Sequence, residues 1–299
     1  MRIGFGVPVS GTWATPQIMA RVATRAEELG YDEVWTFQRL LHPAATDIGS
    51  AYRSVQDPIV SLAYVAALTS RIRLGVAVLN LPFFSPALLG KQLATLQAVS
   101  GGRLDAGLGI GWMEEEFIAS KVPLERRGKR ADEYIELLRR FWTDDVIEHH
   151  GEFYDVVPSR QDPKPETPPP LLLGGGAPAA LRRAGRLADG WISSSRMLDD
   201  DLPSMIATIK EAAEAAGRDP SVLRFVCRGV TTPGDDTSRL LSGPYEKIRE
   251  DVEELAGRGM TEIFHDLNFN PAFGAPDADP AASLALAEEA MERLAPAAR

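Results

Sequence analysis

Eight short β-rich runs, each followed by a helical stretch, recur from one end of this chain to the other, and that alternation leaves few folds open. The predicted strands are Ile3 to Val7, Glu33 to Phe37, Leu74 to Leu79, Leu104 to Leu108, Pro170 to Leu173, Gly190 to Ser193, Leu223 to Cys227 and Glu262 to Leu267. Proline in a first turn marks several helix starts, at Pro16, after Asp57 at Pro58, and near Pro86, with further helices over about Arg127 to Trp142 and Pro280 to Leu294. Eight such pairs in 299 residues predict an α/β fold of the (β/α)8 TIM-barrel type, whose chemistry sits at the C-terminal ends of the strands. An open doubly wound sheet is the alternative, but the first strand-to-helix turn, Val9-Ser10-Gly11-Thr12, lacks the G-x-G-x-x-G pattern of dinucleotide folds.

The whole chain, 1–299, reads as a single barrel domain interrupted at about 145–169. There, Val146 to Val157 predicts an inserted hairpin turning at His149-His150-Gly151, both histidines solvated, and Pro158 to Pro170 predicts a stiff extended connection. A net charge of -10, spread through helices, argues against a nucleic-acid partner, which would require a basic face. The single cysteine, Cys227, lies in an apolar run and reads as a small buried hydrophobe suited to a reducing cytoplasm. No apolar window reaches the ~18 residues of a membrane span, and Met1 to Val7 is too short for a secretory segment, so neither membrane nor export is expected.

The fifth strand runs into Gly174-Gly175-Gly176-Ala177 and then a helix. Bare main-chain amides at a helix N-terminus suit a phosphate; three glycines also suit a tight turn, and both readings stand. Gly109-Ile110-Gly111-Trp112 closes the fourth strand, where alternate glycines let a flat ring lie against backbone and Trp112 can wall it, or where packing alone requires them. Glu114, Glu115 and Glu116 begin a helical turn, which favours carboxylates whatever their role. Gln38 and Arg39 follow the second strand; a guanidinium there can bind an anion or polarise an oxygen, or form a surface ion pair. His265, in the eighth strand, could face the barrel and donate a proton, or be a satisfied core histidine. No ligand cluster suggests a metal and no Gly-x-Ser-x-Gly elbow offers a nucleophile, so the reactive group is expected on a cofactor, a flavin or deazaflavin.

Four stretches resemble the bacterial luciferase-like monooxygenase superfamily, in particular its branch using the deazaflavin coenzyme F420: Ala26 to Trp35, Ser100 to Leu104 continuing to Gly109–Trp112, Pro169 to Gly176, and Ala188-Asp189-Gly190-Trp191. The resemblance implies a barrel with inserted segments, often a homodimer, acting on a small organic molecule. It implies cofactor phosphate on Gly174, Gly175, Gly176 and Ala177, and the ring near Val76, Ala77, Val78 and Gly109-Ile110-Gly111. It also implies a bulge in the third strand, sometimes with a cis peptide, around Ala77 to Asn80. Relatives commonly carry an acid followed by histidine after the second strand; here Gln38-Arg39 stand there, so no proton-donating histidine transfers to that position. Glu116 matches a frequent acidic position and joins Gln38, Arg39 and Trp112 as candidate catalytic residues. Three functions follow as expectations: hydride transfer with F420, FMN-dependent monooxygenation, or non-catalytic flavin binding.

Overall fold

Helix-start chemistry and strand parity together build the barrel seen in the computed structural model, which describes residues 1–194, 197, 201–275 and 277–297. In chain order the strands are β1 (Arg2–Gly6), β2 (Glu33–Thr36), β3 (Arg73–Asn80), β4 (Leu104–Gly109), β5 (Ile147–His150), β6 (Asp155–Ser159), β7 (Leu171–Gly174), β8 (Gly190–Ile192), β9 (Arg224–Val230), β10 (Thr232–Pro233), β11 (Ser242–Gly243) and β12 (Glu262–Asp266). The helices are α1 (Pro16–Glu28), α2 (Pro58–Leu68), α3 (Pro86–Val99), α4 (Glu114–Ala119), α5 (Arg127–Thr143), α6 (Pro178–Leu187), α7 (Leu202–Ala215), α8 (Tyr245–Gly257), α9 (Pro271–Gly274) and α10 (Pro280–Arg293). Strands β1, β2, β3, β4, β7, β8, β9 and β12 pair in that order and β12 returns to β1, closing a parallel barrel as the alternation predicts. Short β5 and β6 form the inserted antiparallel hairpin.

The helices begin where the sequence signals put them. Thr15 accepts from the Ile18 amide, Asp57 from Val60 and Ser85 from Leu88, each with proline in the first turn. Outward-facing strand residues such as Phe5, Val34, Leu104, Leu173 and Cys227 meet the helices in the main core. Inward residues form a second, smaller cluster of Trp35, Ala77, Leu172, Ile192, Val226 and Phe264, with the Trp35 and Phe264 rings stacked 5.0 Å apart. Beneath that cluster, at the N-terminal ends of the strands, the barrel holds charge: Glu33, Asp105 and Glu262 gather around Arg224, with Arg73 paired to Asp105 at 2.7 Å. Burial, then the neighbouring Glu262 and Asp105 carboxylates, hold the Glu33 carboxyl well above its usual range.

Two features depart from regular strand geometry. The register of β3 against β4 shifts between Val76 and Leu79, and the Ala77–Val78 peptide is cis, where the resemblance placed a bulge. Strand β9 continues to Val230 instead of ending at Cys227, which carries Arg228 into the barrel. One expectation fails in the hairpin. His149 is largely buried and meets Glu133 at 3.0 Å, because that carboxylate also accepts from the Phe153 and Tyr154 amides and fastens the hairpin to α5.

Candidate active site

At the C-terminal ends of the barrel strands lies a cleft of about 400 Å³. Its floor is the β3 bulge, Ala77 and Val78, flanked by Gly109, Ile110 and Gly111 after β4 and by Gly174 and Gly175 after β7. A Cβ on Gly109 would stand 2.6 Å from Val78 Cγ2, so bulge and strand end are flush. That is a surface for a flat ring. Facing it are Phe37, Gln38, Arg39, Tyr52, Trp112 and Arg228.

At one end of this floor the backbone is prepared for an anion. Gly175 has φ +113°, a conformation that side chains disfavour, and the Trp191 indole N–H holds its carbonyl at 2.9 Å. Among the described residues no protein acceptor meets the amides of Gly175, Gly176 or Ala177, and α6 opens at Ala177 without a side-chain cap. Unpaired N–H groups and the helix dipole there favour a phosphate. A flavin-type cofactor, flat ring plus phosphate, matches this combination in shape and charge.

Each guanidinium of the cleft faces a carboxylate. Arg228 gives Nε and Nη2 to Asp266 Oδ2, at 3.0 and 2.9 Å, and Nη1 to the Ala77 carbonyl, while its Cζ lies 4.7 and 4.4 Å from the Phe37 and Phe269 ring centroids. Arg39 lies 3.1 Å from Glu116 and between the Tyr52 and Trp112 rings, each centroid 4.8 Å from Cζ. Gln38 accepts from Asn80 through its carbonyl oxygen, at 2.8 and 3.2 Å, leaving its buried Nε2 without a partner among the described residues.

The structure brings together most of the residues singled out from sequence and separates five. Gln38, Arg39, Ala77, Val78, Gly109, Ile110, Gly111, Trp112, Gly174 and Gly175 share the cleft. Glu116 does not reach it: 1 % exposed, it accepts from the Leu40 and Leu41 amides and holds the loop that carries Arg39. Val76 is fully buried among core side chains, because it lies outside the bulge that turns Ala77 and Val78 to the site. Gly176 faces Met197 and Met205, and Ala177 serves as the exposed start of α6, so only their amides remain available. His265 points away from the cleft into the main core beside Thr231.

Burial pushes the His265 imidazole down to about 4, so it is neutral in the fold. The unfolded chain binds that proton from about pH 6.5 downward, so stability falls as pH drops from 6.5 towards 4, by up to about 3 kcal/mol. Urea midpoints compared at pH 7 and pH 5 should show this loss, and His265→Asn should remove most of it. Missed from sequence were Tyr52, Asn80, Ser193 and Arg228; for Arg228 the signal was its two-residue spacing from Val226, which sets it on the inward face.

A closed parallel barrel whose strand ends offer a ring-sized floor beside an uncapped helix N-terminus can hold a flat cofactor with an anionic tail. The chain belongs to the luciferase-like monooxygenase family, whose sequence profile matches residues 4–243. An uncharacterised protein of Mycobacterium tuberculosis is 38% identical over 272 residues, covering 87% of this chain and 88% of that one. The F420-dependent glucose-6-phosphate dehydrogenase of Amycolatopsis mediterranei is 31% identical over 216 residues, covering 71% of this chain and 63% of that one. Among solved structures, the monooxygenase RslO1 of Streptomyces bottropensis shares the fold with a TM-score of 0.80 at 21% identity, covering 98% of each chain. An F420-dependent secondary alcohol dehydrogenase does so with a TM-score of 0.78 at 16% identity, again over 98% of each.

Proposed function

We propose that the protein is an F420-dependent oxidoreductase that moves a hydride between the deazaflavin and a small, uncharged organic substrate. The observation that carries this reading is the pairing of a floor at Val78 and Gly109 with amides at Gly175 to Ala177 that meet no acceptor among the described residues, which suits a flat ring on an anionic tail. The deazaflavin, when bound, supplies the hydride chemistry. The chain's own part is to hold and exclude: the bulge carries the ring, Arg39 and Trp112 close one side, and Arg228 with Asp266 closes the bottom. Uncharged substrates fit the charge balance, since Arg39 and Arg228 each already face a carboxylate, Glu116 and Asp266.

The same floor would take FMN, and the family's name and RslO1 favour keeping monooxygenation as the second reading. A barrel that binds the cofactor without turnover is the third. Parallel fluorescence titrations decide the cofactor: deazaflavin should bind in the micromolar range and FMN at least about tenfold more weakly, a difference of roughly 1.4 kcal/mol. Comparable weak binding of both overturns the assignment. A panel of ketones, alcohols and sugar phosphates then separates enzyme from binder, with turnover expected only for the uncharged compounds. We further propose a cytoplasmic homodimer spanning residues 1–299 of each chain, and light scattering on the same samples should return two chains per particle. No helix among the described residues is long and apolar enough to cross a membrane.

A further inference from the structure

The cleft contains no histidine, cysteine, lysine or free carboxylate among its described lining residues, yet reducing a carbonyl requires a proton as well as a hydride. Five lining side chains carry O–H or amide N–H groups: Gln38, Asn80, Ser193, Ser194 and Tyr52. Amides do not release protons in water, and serine hydroxyls are far weaker acids than a phenol. The Ser193 hydroxyl oxygen is also buried and engaged by the Arg228 amide at 3.2 Å. That leaves Tyr52.

Its surroundings hold the ring in place. Tyr52 ends a short 3-10 turn, Ser50–Tyr52, in the loop between β2 and α2. Phe37 and Phe269 meet its ring edge to face, at 6.1 and 5.1 Å between centroids, and the Arg39 guanidinium lies 4.8 Å from the ring centre. Three contacts on the ring fix its direction, and all three survive loss of the hydroxyl. The Arg39 cation also lies over the ring face, where it favours the electron-rich phenolate that forms as the proton leaves.

Resting on the oxidoreductase reading above, we infer that Tyr52 is the catalytic residue that exchanges the proton with the substrate oxygen. In the reducing direction the cofactor, when bound, would supply a hydride to the carbonyl carbon as the C=O π pair moves onto oxygen. The Tyr52 O–H bond breaks, its proton completes the alcohol, and solvent reprotonates the phenolate. In the oxidising direction each transfer would reverse: Tyr52, as phenolate, takes the alcohol proton, and the bound oxidised cofactor would serve as hydride acceptor.

The test is Tyr52→Phe, which keeps the ring and its three contacts. Deazaflavin affinity, read by fluorescence, and melting temperature should match wild type, whereas kcat for carbonyl reduction should fall by about 10²- to 10⁴-fold. A second readout needs no turnover. With oxidised deazaflavin and a 13C-labelled ketone such as cyclohexanone bound, the infrared carbonyl band should sit at lower wavenumber than in water-free solvent, and Tyr52→Phe should abolish that displacement. Activity retained within about threefold, or an undisplaced band in wild type, overturns the role of Tyr52. Loss of deazaflavin binding by wild type would instead sink the cofactor reading itself, and the Tyr52 role with it, so the two failures are distinguishable.

Discussion

Arg224→Met should lower the stability of the protein by about 3 kcal/mol or more, because it leaves three buried carboxyl groups without their shared cation. Glu33, Asp105 and Glu262 are each almost wholly enclosed, and Arg224 donates to Glu262 at 2.6 Å through both Nε and Nη2 while also engaging Asp105. The expected fall in melting temperature is on the order of 5–10 °C for a chain of this size. Glu33→Gln should have the opposite sign. Burial and the neighbouring Glu262 and Asp105 carboxylates raise that carboxyl above its unfolded value, so the stability contributed by Glu33 declines as pH rises above about 4.5. An amide needs no proton uptake on folding, so the variant should melt above wild type at neutral pH. Scanning calorimetry of both variants measures the contrast, and an unchanged melting temperature for Arg224→Met would show the cluster to be stabilised by solvent instead.

Gly109→Ile should abolish cofactor binding, raising the dissociation constant for deazaflavin more than about 100-fold. Its Cβ alone would press on Val78 Cγ2 at 2.6 Å and on Asn80 Oδ1 at 3.1 Å, and the rest of the side chain must rise from the floor into the slot. Both neighbours are side-chain atoms at the open mouth of the barrel, so circular dichroism should report an intact fold while the fluorescence titration becomes flat. Undiminished binding would place the ring somewhere other than over the β3 bulge.

The barrel was legible because its information is local. Period, caps and turn residues at Thr15-Pro16, Asp57-Pro58 and Ser85-Pro86 each specify a helix start without reference to the rest of the chain. The glycine floor was legible for the same reason. What stayed hidden depends on partners distant in sequence. Arg228 reads as lying just past a strand that ends at Cys227, since an isolated cation is rarely buried, until Asp266 arrives 38 residues later on the neighbouring strand. Tyr52 lies in a loop without periodicity, and only the meeting of Phe37, Phe269 and Arg39 around its ring marks it. Glu116 was chosen for matching an acidic position frequent in the resembled family, and here it holds the neighbouring loop at Leu40 and faces Arg39, contacts that a position in sequence does not specify.

The Glu116 carboxylate ties Leu40, Leu41 and Arg39 to α4, and so joins two crossover segments that are 75 residues apart. For anyone wishing to retarget the enzyme by swapping segments with a relative, this makes the two an indivisible cassette. Importing the first without an acid on the second would strand a guanidinium in the entrance, and importing the second alone would unmoor the wall that Tyr52 and Trp112 share.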